Sequence, residues 1–339
     1  MDSFNRVNKI IVRRNLSRLR FLVQGGFALF CLYAGYRFYF FYLWAVGRCD
    51  LYVPRPPSVE GFLPISGLVG LKRLLLTGVY DKIHPAGLTI FLAALIIAFL
   101  LRKGFCGWIC PVGFTSNLAE RIGLKLKSLW RPPLLLDYQL LALKYLLLAF
   151  FAFLILFKMD IRALEAFNRS SYNLVVDAKM LLFFIDPSRM TMWVIGFLVI
   201  ISFFMRNFWC HYLCPYGALL GLLALMSPVR VKRNSEACID CKKCEKVCPS
   251  SIPVASRQSI NSPECIGCLE CVAVCPPEKC LTLNLPGGRT VNPFLLPGAV
   301  LAVFMVCWAV AVLTGHWQND IPLETLQKFY RMSENLAHP

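Results

Sequence analysis

The chain has 339 residues, of which 57% are hydrophobic and only 16% charged, whereas soluble domains run near 25% charged. A balance this apolar excludes an ordinary soluble enzyme and points to a membrane. The formal net charge of +17 would suggest nucleic acid in a soluble protein, but the Lys and Arg residues gather between apolar runs, where they anchor a membrane protein, and no nucleic-acid partner is expected.

In chain order, residues 1–20 form a basic segment with Arg6, Lys9, Arg13, Arg14, Arg18 and Arg20 against Asp2. Apolar stretches long enough to cross a bilayer, which takes about 17–25 helical residues, follow near 21–46, 84–101, 138–157, 190–206 and 294–314. The second and fourth are short, and each runs into a cysteine-bearing segment. The Lys and Arg bias keeps the basic start inside, which puts residues 102–137 and 207–293 in the cytoplasm and 47–83, 158–189 and the tail outside. Arg37 lies among aromatics within the first span, either a functional candidate as a charge in a membrane segment or a side chain snorkelling toward the outer surface. Lys144 is read as snorkelling from a span end. The loop FLPISGLVGLKRLLLTGVYDKIHP has helical spacing around Lys72 and Arg73 and reads as a helix lying at the interface; residues 173–185 read the same way. His84 and His316, at the outer ends of the second and fifth spans, are either interface hydrogen-bonding groups or a pair of haem ligands.

Sixteen cysteines are present, most of them at metal-ligand spacing rather than in a disulfide pattern. Residues 238–249 read CIDCKKCEKVCP and 265–276 read CIGCLECVAVCP. Each is C-x2-C-x2-C-x3-C-P, in which three thiolates hold one cubane and the fourth reaches across to the other. Cys238, Cys241, Cys244 and Cys275 are therefore expected to hold one [4Fe-4S] cluster, and Cys265, Cys268, Cys271 and Cys248 a second. Zinc, the other metal held by C-x2-C pairs, does not call for the third cysteine or the crossing C-P. Cys280 reads as a buried spare thiol, and Cys31, Cys49 and Cys307 as packing thiols.

A related signature appears twice more, as CGWICP at Cys106 and Cys110 and as CHYLCP at Cys210 and Cys214. Each follows a span and a basic residue, and each continues through Pro into Gly. The doubling is an internal repeat that suggests a pseudo-twofold meeting of four thiols. A proline after the second cysteine starts a helix whose free N–H groups face the sulfur. A third iron–sulfur cluster, a dithiol/disulfide pair and a soft-metal site for Cu(I) all suit such thiols. His211 reads as packing or tuning, because Gly107 stands at its place in the first copy.

Two C-x3-C-P motifs on spans, followed by the double cubane run, resemble the NapH/CcoG-type membrane polyferredoxins. The stretches GYRFY at 35–39 and RPPSVEGFLPISGL at 55–68 are also similar to the NapH-type quinol dehydrogenase subunit. That resemblance implies electron transfer between the quinone pool and redox subunits of iron–sulfur or cytochrome type, with quinone as substrate; Arg37, as a charge within a span, is a candidate contact for it. CcoG-type relatives imply instead copper reduction during assembly of a respiratory oxidase; a membrane redox sensor is a third reading.

The expected architecture is a mainly α membrane protein with about five transmembrane helices and an inserted bacterial-type 2[4Fe-4S] ferredoxin domain on the cytoplasmic side of a bacterial inner membrane. Its segments are a basic start at 1–20, a four-span part at 21–227, the ferredoxin domain at 228–290, a fifth helix at 291–314 and a short periplasmic tail at 315–339.

Overall fold

A computed structural model describes residues 2–130, 132–277 and 279–333. The side chains of residues 1–14 and 134 lie outside the described residues, and with them Arg6, Lys9, Arg13 and Arg14 of the basic start; so do tail residues 334–339.

Most of the chain is helical. Among the described residues three helices are long and apolar enough to cross a membrane: Asn15–Ala45, Leu135–Lys158 and Leu295–Leu313. The other two expected spans are less regular. Pro85–Leu101 has 17 residues, about 26 Å at 1.5 Å per residue, short of a hydrocarbon core of about 30 Å. Arg189–Phe204 forms a broken pair with Val176–Ile185, bent by 75°, and the break falls at Asp186–Pro187–Ser188, where proline cannot continue the helix. The helix at the expected interface segment is Pro64–Thr77, closed by Gly78 in the left-handed conformation.

The chain divides into two compact units. The first gathers Met1–Ala28, Ala94–Leu148 and Leu198–Phe304 and contains all twelve cysteines of the four motifs. Its ferredoxin segment is built on a four-stranded antiparallel sheet of order β2-β1-β3-β4, with β1 at Arg230–Arg233, β2 at Ser259–Ile260, β3 at Leu281–Asn284 and β4 at Thr290–Val291. Val231 pairs with both Ile260 and Leu283. These three side chains, with Leu281, Ile252 and Val254, form a thin buried layer.

Between the strands, the two cysteine runs fold alike. Asp240 and Lys242 in the first, and Gly267 and Leu269 in the second, all have φ between +48° and +62°. The second member of each pair caps a short helix, Lys243–Lys246 or Glu270–Val274. Left-handed backbone costs a side chain about 1–2 kcal/mol per residue; at Gly267 it costs nothing.

The second unit, Leu29–Ala93, Ala149–Phe197 and Met305–Pro339, has an aromatic core of Phe38, Phe41, Tyr42 and Tyr330 with Val59 and Leu326. Within it lies a buried ionic cluster. Arg55 binds Asp177 (2.6 Å) and Glu60 (2.8 Å), and the Tyr330 hydroxyl donates to Asp177 at 2.7 Å. Lys72 donates to the carbonyls of Ile155, Leu156 and Met159, a cation on the last turn of a helix.

The ferredoxin segment combines a thin core with strained turns, so its fold depends on what the thiols hold. Chelating iron from the purified protein should open residues 230–284 to limited proteolysis while the membrane helices stay protected. Equal resistance with and without iron would show that the sheet stands by itself.

Candidate iron–sulfur centres

All sixteen cysteines are free. Cys238, Cys241, Cys244 and Cys275 line one recess. Cys241 is exposed, Cys238 half-buried, and Cys244 and Cys275 are buried. Cys248, from the first run, lies within electrostatic range of Cys265, Cys268 and Cys271, and Cys271 is also within range of Cys244. Soft thiols, left-handed turns and a recess shared by four cysteines suit a [4Fe-4S] cluster. Burial pushes the Cys248 thiol up to about 11 and the Cys268 thiol up to about 12. Without a metal these groups keep their protons at neutral pH, and binding iron must displace them. Among the described residues no three His, Cys, Asp or Glu side chains are placed to hold a single metal ion.

The C-x3-C-P repeat extends into three dimensions. In each copy an apolar helix (Pro85–Leu101 or Arg189–Phe204) ends near a residue of positive φ, Arg102 or Asn207. A short helical turn follows (Gly104–Trp108 or Trp209–Leu213), and then a helix begins with Pro at its first position, Pro111–Lys125 or Pro215–Ala224. Cys110 and Cys214 are the N-caps, and the Gly217 N–H donates to Cys214 Sγ at 3.2 Å. The copies exchange contacts reciprocally: Ser128 Oγ donates to the Phe203 carbonyl at 2.9 Å and Ser227 Oγ to the Leu100 carbonyl at 3.0 Å. Cys106, Cys110, Cys210 and Cys214 are brought within electrostatic range of one another. Burial and the neighbouring thiols push the Cys106 thiol up to about 12 against the opposing pull of Lys103.

The first C-x3-C-P motif touches the ferredoxin segment directly. Trp108 Nε1 donates to the Gly267 carbonyl at 3.0 Å, and a Cβ on Gly107 would stand 2.3 Å from the Ile266 carbonyl oxygen. The basic residues before each motif grip the same segment. The Arg102 guanidinium donates to the carbonyls of Ile260 and Ser262 and to Asn261 (2.9–3.2 Å). Lys103 reaches Pro263; Arg206 donates to the Lys246 and Cys248 carbonyls (2.9 and 3.2 Å). Their role is therefore more specific than surface anchoring.

Lys144 corrects the sequence reading. It does not snorkel: it is completely buried and paired with Glu264, the residue before Cys265, which also accepts from Tyr145 at 2.8 Å and lies 3.8 Å from Lys103. Burial pushes the Glu264 carboxyl up, but the two lysines outweigh it and hold it below the usual carboxylate range. His211 sits between Glu264 and Asp137, 3.8 Å from each. A lysine inside an apolar run was the available signal for this site; its partner, 120 residues away, left none.

Of the remaining candidates, Arg37 is half-buried on the first helix. His84 Nε2 donates to the Asn173 carbonyl at 2.7 Å, and His316 Nδ1 pairs with Thr314 at 2.9 Å, so both make the hydrogen bonds of the simpler reading.

The fold and thiol geometry define a membrane protein of ferredoxin type that carries electrons through iron–sulfur centres. Residues 83–130 and 185–234 each match the family described as "4Fe-4S binding domain", one match per C-x3-C-P copy, and residues 230–276 match the "4Fe-4S dicluster domain". The chain is 37% identical over 294 residues to the "Putative electron transport protein YccM" of Escherichia coli, covering 85% of this chain and 82% of that one. It is 31% identical over 201 residues to the "Methylamine utilization ferredoxin-type protein MauN" of Methylorubrum extorquens, covering 56% and 62%. With the "Ferredoxin-type protein NapH" of Haemophilus influenzae it shares 30% identity over 176 residues, covering 49% and 55%. No solved structure matches. The chain belongs to the family of ferredoxin-type membrane electron-transport proteins that includes YccM and NapH.

Close approach at Gly107 separates two superficially similar substitutions. Gly107→Ala should destabilise the protein by about 1–3 kcal/mol through overpacking on Ile266. Gly217→Ala meets only ordinary contact, 3.5 Å from Cys214 Sγ, and should stay within about 0.5 kcal/mol of the parent. Thermal unfolding in detergent measures both, and equal effects would contradict the packing described.

Proposed function

We propose that the protein moves electrons between the quinone pool and a redox partner of iron–sulfur or cytochrome type. Two [4Fe-4S] clusters are assigned to Cys238, Cys241, Cys244 and Cys275 and to Cys265, Cys268, Cys271 and Cys248, and a further iron–sulfur cluster to Cys106, Cys110, Cys210 and Cys214. Bound at these thiols, the clusters supply one-electron acceptance and donation. The seating of Gly107 and Trp108 on the Ile266–Gly267 turn carries this reading, since it sets the quartet against the loop of the second ferredoxin run with no intervening layer.

The chain's own residues hold and insulate this assembly. Lys103 and Lys144 place positive charge beside the quartet, which favours thiolates and an anionic cluster over neutral thiols. The indole of Trp108 is wholly buried and excludes water from the contact. Quinone enters from the bilayer, with Arg37 on the first helix as a candidate contact for its head group, a charge on a candidate span being a functional candidate. The surplus of Lys and Arg on one set of loops supports a cytoplasmic ferredoxin segment in an inner membrane.

Iron analysis and electron paramagnetic resonance test the proposal together. The intact protein should hold about twelve irons per chain and develop reduced-cluster signals when given a quinol. Replacing Cys106 and Cys210 by Ser should leave about eight irons, still reducible by dithionite but no longer by quinol. Unchanged iron content and quinol-driven reduction in that variant would overturn the assignment of the quartet.

A further inference from the structure

The recess at Cys238, Cys241, Cys244 and Cys275 has a fifth thiol in its wall, that of Cys280. Cys280 is 2% exposed, and its position is set by backbone rather than by a flexible loop. It immediately precedes β3, its carbonyl accepts from Asn234 N–H at 2.8 Å, and its thiol is directed at the Asn234 carbonyl, 3.8 Å away. The same thiol lies within hydrogen-bonding reach of Cys238 and of Cys275, the two members of the quartet at that end of the recess. A cubane takes four thiolates, so one of five is surplus at this site. Cys238 is half-buried whereas Cys244 and Cys275 are buried, so Cys238 is the more accessible to oxidants of the two ligands beside Cys280.

We propose that Cys280 is a reserve ligand of the cluster at Cys238, Cys241, Cys244 and Cys275, able to take the iron of Cys238 when that sulfur is lost. In the exchange one iron–sulfur bond to Cys238 breaks and one to Cys280 forms; the proton released by the Cys280 thiol passes to the departing thiolate, and no electron is gained or lost. Where the Cys238 sulfur has been removed by substitution, the proton passes to solvent. The inference rests on the assignment of this first cluster, and its test keeps the two apart.

The full-length protein, purified without oxygen, is compared as C238S, C280S, C238S/C280S and C244S by iron and labile sulfide content and by the resonance of the reduced clusters. C244S, which removes the buried ligand on the short helix Lys243–Lys246, should lose about four irons per chain; if it keeps them, the assignment of the first cluster fails. Given that loss, C238S should retain the parental iron with an altered spectrum, C280S should retain it with a spectrum close to the parent, and C238S/C280S should lose about four irons as C244S does. Loss of iron in C238S equal to that of the double variant would overturn the proposal. So would a C238S protein that fails to accumulate where C244S accumulates. The pair C275S and C275S/C280S reads the other neighbour: iron kept in the single and lost in the double supports the reserve role, and equal loss restricts it to Cys238.

Discussion

Three sulfurs within seven residues can face a common centre only if the backbone reverses between them, and the left-handed pairs Asp240/Lys242 and Gly267/Leu269 supply that reversal. Everything else in the ferredoxin segment is arranged around these turns. The sheet holds their ends, the two short helices begin on their second members, and the buried thiols they gather keep their protons until a metal displaces them. A backbone strained at three side-chain-bearing positions, over a core only a few residues thick, has little reason to keep this shape without bonds to the sulfurs. The clusters are therefore structural members of the fold as well as carriers.

A second constraint is the way the segment is held. The cations that precede the C-x3-C-P motifs, Arg102 and Lys103 in one copy and Arg206 in the other, turn their donors onto carbonyls of the ferredoxin loops. Buried guanidinium groups are tolerated where their hydrogen bonds are met, and here most of the acceptors are backbone carbonyls of the ferredoxin segment. The Lys144–Glu264 pair adds a buried link close to Cys265. Such a pair fixes position more than it adds stability. Together these contacts keep the quartet and the second run in one register, which transfer between centres requires.

Much of this was legible in sequence because it is local. The C-x2-C-x2-C-x3-C-P runs, the prolines that open helices after Cys110 and Cys214, and the repeat itself are short patterns with a direct geometric meaning, and two separate matches to one family follow the repeat. What sequence did not disclose depends on distant partners. Lys144 read as snorkelling because Glu264 could not be seen beside it, and the cluster of Arg55, Glu60 and Asp177 assembles from three separate stretches. The second and fourth apolar stretches read as spans by composition, but a 17-residue helix and a proline break set their lengths. Cys280 read as spare by its spacing; only the strand pairing that fixes Asn234 to it places its thiol at the recess.

The central claim is that eight sulfurs of one small fold hold two cubanes side by side. The electron paramagnetic resonance spectrum of the dithionite-reduced protein tests this most directly, recorded with the quartet cysteines replaced so that only the ferredoxin segment contributes. Two neighbouring reduced clusters should broaden and split each other's signals, and partial reduction should recover the simpler spectrum of one. A single unsplit signal at full reduction, or no cubane signal, would contradict the account.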